Sequence, residues 1–402
     1  MVEGTAARDV APDPGREGKI SGKGLLNLQM CPTTRLSRGY LLVSSATLIR
    51  KRRATLEAEA QSRIWKLISI GLIGYGYWGP NLLRNFAELP GITIDAVADL
   101  RADQLEFVSR RYPSIRTTTH FEDVIADKSI DAIAIATPVA THFELGMAAL
   151  MAGKHLWLEK PMAETSQQAE KLVEQAQMRS LTLFVDHTFI YTGAVQKMRE
   201  LVKGGKLGKI LYYDSTRVNL GLFQRDVNVV ADLAVHDFAI LDYLLGEHPT
   251  AISAAGVNHF PGTRENLAYI TLFYDSGAIG HTNVNWLAPV KVRKVLLGGS
   301  KRMLTYDDLE PSEKVRVYDK GVSFTDDPKQ IHEMRVGYRT GDMWAPKLDA
   351  TEALRIAAEH FVECVEKGKT PITDGWLGLR MVELIEAATS SMRGRGETVR
   401  IR

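Results

Sequence analysis

The sequence has little cysteine: Cys31 and Cys364 are the only two among 402 residues, and neither lies in a spacing typical of metal ligands. This argues against a disulfide scaffold and a structural zinc site, and it predicts a protein of a reducing compartment, the cytoplasm. No run approaches the roughly 18 apolar residues that a membrane-spanning helix needs. We therefore expect neither a metal nor a membrane as a partner.

A strong excess of one charge is also missing, since 50 Lys and Arg stand against 48 Asp and Glu. The positive surplus lies in residues 1–66, with 12 basic and 6 acidic residues, whereas the rest of the chain has 38 and 42. A mildly acidic body is a poor binder of phosphate backbones, so nucleic acid is not an expected partner. Residues 1–65 are predicted to be a disordered or misassigned leader.

The remaining length is sufficient for two domains. Over residues 66–186, apolar strand-like runs alternate with amphipathic helices, which predicts a doubly wound parallel sheet of the Rossmann type. Over residues 187–402, several β runs and a hairpin signal at Asp275-Ser276-Gly277 predict an α+β domain with an open, largely antiparallel sheet. We expect the second domain to bind substrate and to form a homodimer or homotetramer through its free sheet face.

A glycine turn follows the first predicted strand, in "KLISIGLIGYGYWGPNLLRNF". Gly74, Gly76 and Gly79 form the G-x-G-x-x-G pattern, in which the glycines permit a tight turn, close approach of a pyrophosphate and close helix packing. Asp99 ends the second strand 20 residues after Gly79, where a carboxylate can bind the adenosine ribose. Its charge would repel a 2′-phosphate, so NAD is predicted over NADP, although Arg101 nearby weakens this preference.

The strands "SIDAIAIATP" and "HLWLEKP" both end in polar or turn residues. Ligands of parallel sheets bind beyond the carboxyl ends of the strands, so Glu159 and Lys160 are expected at the rim of a cofactor crevice. Tyr77 and Trp78 in the glycine turn are expected beside the nicotinamide, and the alternative is that they only pack against the protein. The predicted cofactor-binding residues are Gly74, Tyr75, Gly76, Tyr77, Trp78, Gly79, Asp99, Ala136, Thr137, Pro138, His142, Glu159 and Lys160.

The segment "VVADLAVHDFAILDYLLG" places Asp232 and His236 four residues apart, which on an α-helix is one face. An acid there can orient the imidazole, and His is the side chain best suited to move a proton near neutral pH. The alternative is a helix cap and a histidine without a chemical role. Asp237 is expected to serve the helix N-terminus.

Together, "GLIGYGYWGPN", "ATPVATH", "LWLEKPMAE" and "DLAVHD" resemble the Gfo/Idh/MocA oxidoreductases over about Lys66 to Arg402. The resemblance implies that Lys160 contacts the nicotinamide ribose and the reacting sugar hydroxyl, and that Pro161 follows a cis peptide bond. It also implies that Asp232 and His236 face the nicotinamide, with His236 as general base and Asp232 as its orienter. The segment "RVNLGLFQRDVNVVADLAVHD" is most similar to members that act on nucleotide sugars.

Three residues between the predicted strand and this helix are candidates for substrate binding: Arg217, Asn219 and Arg225. A bidentate arginine suits a carboxylate or diphosphate, although a solvent-facing loop explains the arginines equally well. His187, just past a strand end, touches substrate or caps the domain junction. The predicted function is NAD-dependent oxidation of a sugar hydroxyl. The alternatives are a glycosidase that uses NAD transiently and a non-catalytic NAD(H) sensor.

Overall fold

The structure, a computed structural model, describes residues 67–221, 223, 226–261, 263–324 and 336–401. The predicted leader, residues 1–65, and the candidate Arg225 lie outside these residues, so both stay predictions. Along the part of the chain that the structure describes, no helix combines the length and the apolar character needed to cross a bilayer.

The first sheet contains six parallel strands: β1 Ile68–Ile73, β2 Ile92–Ala98, β3 Arg116–Thr118, β4 Ala132–Ile135, β5 His155–Glu159 and β6 Leu183–Asp186. Their order across the sheet is β3-β2-β1-β4-β5-β6. Every residue of β1 and β4 is buried, as expected of central strands with both faces covered. The strand order reverses between β1 and β4, and sheets of this kind bind ligands beyond the carboxyl ends at that point.

Five helices connect these strands: α1 Gly79–Ala87, α2 Ala102–Arg111, α3 Phe121–Ala126, α4 His142–Met151 and α5 Ser166–Met178. Helix α1 has a proline in its first turn, where a missing N–H leaves no helical hydrogen bond unmade. It buries Leu82, Leu83 and Phe86. Helix α5 begins after Thr165, whose side chain accepts a hydrogen bond from the backbone N–H of Gln168. Sequence-local signals thus position the helices of this sheet.

The second sheet contains nine strands: β7 Ile210–Leu220, β8 Ala251–Val257, β9 Leu267–Phe273, β10 Ile279–Asn285, β11 Leu287–Gly299, β12 Met303–Asp307, β13 Val315–Tyr318, β16 Met343–Trp344 and β17 Val399–Arg400. Their order is β16-β13-β12-β11-β7-β10-β9-β8-β17. Strands β7 and β10 run parallel, and the other neighbours are antiparallel. Between β9 and β10, Gly277 supplies the positive φ of the predicted hairpin. Strands β14 Gly321–Phe324 and β15 Val336–Arg339 pair separately.

Four longer helices accompany the second sheet: α6 Gly193–Lys203, α7 Val235–Leu245, α8 Ala353–Lys367 and α9 Gly375–Arg393. A 3₁₀-helix, Thr188–Tyr191, follows β6, and a π-helix, Val230–Ala234, runs directly into α7. Along β9 and β10, the side chains alternate between a buried face and a face on which Tyr269 and Ile279 are 47% and 46% exposed. One face of the sheet is therefore covered and the other is largely open.

Helix α9 joins the two sheets, because it packs against β8 of the second sheet and against α5 and β6 of the first. Two glycines permit the close approach to β6. A Cβ on Gly375 would lie 2.6 Å from Leu183, and one on Gly378 would lie 2.4 Å from the Met162 sulfur. The predicted fold class is confirmed, a parallel α/β sheet followed by a mixed, mostly antiparallel one. The predicted domain boundaries stay predictions.

Candidate active site

The glycine turn between β1 and α1 has two glycines that the protein itself requires and one that it does not. Gly74 has a φ of +95°, and a Cβ there would lie 2.5 Å from the Ala136 carbonyl oxygen. A Cβ on Gly79 would lie 2.4 Å from the Gly74 carbonyl oxygen. At Gly76 the nearest atom to such a Cβ is a guanidinium nitrogen of Arg101, 4.0 Å away. The space beside Gly76 is therefore open, as a cradle for a phosphate group must be.

Asp99, at the end of β2, is fixed by the turn that it faces. One carboxylate oxygen accepts a hydrogen bond from the Tyr75 backbone N–H at 2.7 Å, and the other accepts from the Arg101 backbone N–H at 2.9 Å. The Arg101 side chain lies 3.4 Å from the second oxygen and is 55% exposed. The Tyr75 side chain is buried in the core, so this residue can reach a cofactor only through its backbone.

The carboxyl end of β5 delivers Lys160 to the same edge of the sheet, and the Lys160–Pro161 peptide bond is cis, as the resemblance implies. The Lys160 ammonium donates a hydrogen bond to the backbone oxygen of Asp232 at 2.9 Å and lies 3.4 Å from one of its carboxylate oxygens. Its side chain is 18% exposed. A residue of the first sheet is thus held by the π-helix beside the second sheet.

Glu159 and Asp186 end neighbouring strands in register, and their side chains are hydrogen-bonded to each other. Asp186 also accepts hydrogen bonds from the Trp78 indole N–H at 3.3 Å and the Thr188 hydroxyl at 2.7 Å. Burial raises the pKa of both carboxyls, and the charge of Asp186 raises that of Glu159 further. Both carboxyls therefore bind a proton more readily than an exposed carboxyl does, and they titrate as a pair. This coupled pair of carboxyls lies next to Lys160, whose charge lowers the pKa of both.

Asp232 does not orient His236, and that expectation is corrected. In the described part of the chain its carboxylate is engaged by Lys160 and by the Trp286 indole N–H, which donates to it at 3.0 Å. The expectation considered only neighbours along the helix, whereas both partners of Asp232 come from other elements, 72 and 54 residues away in the chain. An ammonium ion is also a stronger partner for a carboxylate than a neutral imidazole.

His236 lies in the first turn of α7, and its ring packs against Phe189 with 4.8 Å between ring centroids. Its Nδ1 is buried without a hydrogen-bond partner. Burial lowers the pKa of His236 well below its ordinary value, and the positive charges of Lys160 and Arg217 lower it further. The imidazole is consequently neutral near pH 7, the form in which it can accept a proton.

Arg217, on β7, is buried rather than solvent-facing. Its Nε donates to Asp237 at 2.6 Å, and its guanidinium lies 4.4 Å from the centroid of the Phe189 ring. The second oxygen of Asp237 accepts from the Tyr213 hydroxyl at 3.1 Å. The expected capping role of Asp237 is therefore corrected, because its carboxylate belongs to a buried ion pair. One terminal nitrogen of Arg217 has no partner, so its role in substrate binding stays a prediction.

His187 and Asn219 are the other described candidates for substrate binding. His187 is 2% exposed, and neither of its ring nitrogens has a hydrogen-bond partner. Burial and the charge of Lys160 lower the pKa of His187 to about 3. Asn219 is half-buried and lies on the same face of β7 as Arg217. Their predicted roles stay predictions.

The remaining cofactor candidates differ in how they are held. His142 is buried, and its two ring nitrogens lie 2.9 and 2.8 Å from the carbonyl oxygens of Pro161 and Thr137, so it ties the ends of β4 and β5 together. Tyr77 is 88% exposed, whereas the Trp78 indole is bound to Asp186. Pro138 opens a 3₁₀-helix of residues Val139–Thr141, beside the same strand end.

Sequence analysis missed three residues of this neighbourhood: Asp186, Phe189 and Trp286. Asp186 ends a predicted strand next to the one that ends on Glu159, so the carboxyl-edge rule that selected Glu159 would also have selected it. Trp286 and Phe189 carry no local signal, because they reach Asp232 and His236 from distant parts of the chain.

A parallel sheet with a glycine turn after β1 and an aspartate at the end of β2 is the architecture of a Rossmann-type nucleotide-binding domain. The chain belongs to the Gfo/Idh/MocA oxidoreductase family. The model of the family's NAD-binding Rossmann fold matches residues 68–187, and that of its C-terminal alpha/beta domain matches residues 199–401. The predicted family and cofactor are thereby confirmed.

Several curated relatives are dehydrogenases of sugars or polyols. The chain is 25% identical over 341 residues to the scyllo-inositol 2-dehydrogenase (NAD(+)) of Bacillus subtilis, covering 81% of this chain and 93% of the relative. It is 24% identical to the UDP-N-acetylglucosamine 3-dehydrogenase of Acidithiobacillus ferrooxidans, covering 78% and 93%. Levoglucosan dehydrogenase, solved with NADH and levoglucosan, has a similar fold with a TM-score of 0.71, 20% identity, and coverage of 83% and 99%.

Proposed function

We propose that this enzyme oxidises a ring carbon that bears a hydroxyl in a sugar, with a nucleotide sugar as the substrate class, or runs the reverse reduction. When bound, NAD supplies the hydride acceptor. His236 accepts the hydroxyl proton as the carbon loses hydride, so that a ketone forms. Lys160 holds the reacting oxygen and stabilises the negative charge that develops on it. Asp232 positions Lys160 and not His236.

The observation that carries this proposal is a set of buried polar atoms that lack protein partners, on side chains that interact with Lys160 or with His236. These atoms are Glu159 Oε1, Arg217 Nη1, His236 Nδ1 and both ring nitrogens of His187. Buried polar groups in proteins are nearly always hydrogen-bonded, and groups that are not require an explanation. A polar ligand at this place supplies the missing partners.

The residues of the first sheet suit NAD in three respects. The open space at Gly76 and the N-terminus of α1 would accept the pyrophosphate, and Asp99 would face the adenosine ribose. Glu159 has one unpartnered oxygen for a ribose hydroxyl at the nicotinamide end. These residues would bind and orient the cofactor, whereas Lys160 would bind the reacting oxygen and His236 would accept its proton.

The test is to incubate purified protein with NAD⁺ and a panel of scyllo-inositol, levoglucosan and UDP-N-acetylglucosamine, and to follow the absorbance of reduced nicotinamide. We expect reduction with at least one panel member, with UDP-N-acetylglucosamine as the first candidate. Release of free sugar without net NAD⁺ reduction would instead favour a glycosidase. Tight NAD⁺ binding without turnover of any panel member would favour a sensor.

We further propose that a second copy of the chain covers the open face of the nine-stranded sheet. Tyr212 and Ile279 are register partners there and are 37% and 46% exposed, and Tyr269 and Leu296 add to the same face. Light scattering should give a dimer or tetramer, and I279E should lower the mass to that of the monomer. The buried free thiol of Cys364 suits the cytoplasm, the compartment that we propose.

A further inference from the structure

His187 occupies the junction between β6 and the 3₁₀-helix Thr188–Tyr191. Its backbone is satisfied, since its N–H donates to the Val185 carbonyl oxygen at 2.8 Å and its own carbonyl accepts from the Ile190 N–H at 3.0 Å. The chain could therefore turn at this point with almost any side chain. The backbone of the turn therefore gives no reason for a histidine at position 187.

The imidazole is buried and unpaired. Its relative exposure is 2%, and neither Nδ1 nor Nε2 has a hydrogen-bond partner, which is true of no other buried histidine among the described residues. A neutral imidazole has one N–H donor and one acceptor, so both of its polar functions are unused. Leaving such groups buried and unsatisfied lowers the stability of the protein that carries them. A residue with this cost and no structural partner is expected to serve a ligand.

The surroundings of His187 identify which ligand. The positive charge of Lys160 lowers the pKa of both His187 and His236, so both imidazoles lie within electrostatic reach of the same ammonium group. The 3₁₀-helix that His187 opens also contacts α7, and its Phe189 packs on the His236 ring. If Lys160 and His236 share the reacting oxygen, the imidazole of His187 lies beside the adjacent part of the same substrate.

We propose that His187 is a specificity residue that hydrogen-bonds a second substrate hydroxyl, on a carbon next to the one that is oxidised. A hydroxyl both donates and accepts, which matches the donor and the acceptor of a neutral imidazole. The enzyme would accordingly prefer vicinal diols to isolated alcohols. This inference rests on the proposed dehydrogenase function and names the part of the substrate that the site reads.

The first test needs no substrate and compares two equally buried histidines. His187→Leu removes two unpartnered polar atoms, so the ligand-free variant should melt at a higher temperature than the wild type. His142→Leu removes a histidine whose neutral ring donates a hydrogen bond to the carbonyl oxygen of Pro161 or of Thr137, so it should melt at a lower temperature. A lower melting temperature for His187→Leu would show that the imidazole is structural and would overturn the proposal.

The second test uses the panel member with the highest kcat/KM and its deoxy derivatives at the two carbons flanking the oxidised one. His187→Leu should lower kcat/KM by 10- to 100-fold for the parent sugar and leave the Kd for NAD⁺ within twofold. With one of the deoxy derivatives, the wild-type kcat/KM should fall by the same factor relative to the parent sugar. For His187→Leu, kcat/KM should be the same with that derivative as with the parent sugar. If the variant loses as much kcat/KM again when the deoxy derivative replaces the parent sugar, the two changes act independently and the proposal is overturned. A weaker Kd for NAD⁺ in the variant with an unchanged kcat/KM would also overturn it.

The two tests separate this inference from the proposed function. If the wild type turns over no panel member, the proposed function fails, and the melting comparison still decides whether His187 is structural. If the wild type is active and His187→Gln retains more activity than His187→Leu, hydrogen bonding at this position is supported. Equal activity of both variants and the wild type would overturn the specificity role while the dehydrogenase assignment stands.

Discussion

The two ends of the cofactor crevice are built in opposite ways. At the glycine turn, protein atoms satisfy one another: both oxygens of Asp99 accept backbone hydrogen bonds, and Gly74 and Gly79 leave no room for a Cβ. Around Lys160, several buried polar atoms have no partner at all. The first end is therefore complete in its own protein contacts, whereas under the proposed function a ligand would complete the second. Recognition of the nucleotide is preformed, and the chemistry depends on the substrate.

The largest effect should follow from breaking the second end at Lys160. Lys160→Met removes the charge that holds the reacting oxygen and should lower kcat about 10³-fold, within the range for a lost acid–base or electrostatic group. The Kd for NAD⁺, measured by titration calorimetry, should change much less because the glycine turn is intact. Lys160→Arg keeps a charge in a different shape and is the control. Wild-type turnover by Lys160→Met would contradict the role of the ammonium.

A pair of glycine variants separates what the fold needs from what the ligand needs. Gly74→Ala puts a Cβ against a backbone carbonyl at positive φ and should destabilise the protein by about 1–3 kcal/mol in urea unfolding. Gly76→Ala meets no protein atom closer than 4.0 Å and should fold with near-normal stability. It should nevertheless weaken NAD⁺ binding about 10-fold or more. Equal loss of stability in both variants would remove the distinction.

The pH dependence of stability gives a smaller effect that reports on the unpaired histidines. The pKa of His187 is lowered to about 3, and that of His236 is lowered too, so the unfolded chain binds more protons below about pH 6.5. Stability should fall as the pH drops from 6.5 towards 3, with His187 contributing up to about 1.4 kcal/mol per pH unit. His187→Leu should remove this share, so its advantage over the wild type should grow at lower pH. Parallel curves for the two proteins would refute the assignment.

The smallest effect should come from Trp286, which positions the carboxylate that holds Lys160. Trp286→Phe keeps the aromatic ring and loses the 3.0 Å hydrogen bond to Asp232, worth about 1 kcal/mol, so kcat/KM should fall about fivefold. Trp157→Phe is the matched control, because the buried indole nitrogen of Trp157 has no partner to lose. An unchanged kcat/KM in Trp286→Phe would indicate that the Asp232 carboxylate is held by other contacts.

The parts of this molecule that depend on neighbouring residues in the chain could be predicted from sequence. The glycine turn, Asp99 at the strand end and the Lys160–Pro161 step are all coded within a few residues. The partners of Asp232 could not be predicted, because Lys160 and Trp286 lie 72 and 54 residues away in the chain and no local pattern marks such contacts. The Arg217–Asp237 ion pair was missed for the same kind of reason, since it joins a strand to a helix 20 residues away.

The close packing of α9 on β6 makes the first sheet depend on a distant part of the chain. The outer strand of the parallel sheet is covered by a helix that begins at Gly375, far along the chain from β6, so the first sheet without that helix would expose Leu183 and Val185. A fragment that ends at residue 186 should therefore aggregate, because this apolar surface would be exposed to water. The nucleotide-binding half and the C-terminal half of the described chain therefore share one packing surface, and separating them would cost the first sheet part of its cover.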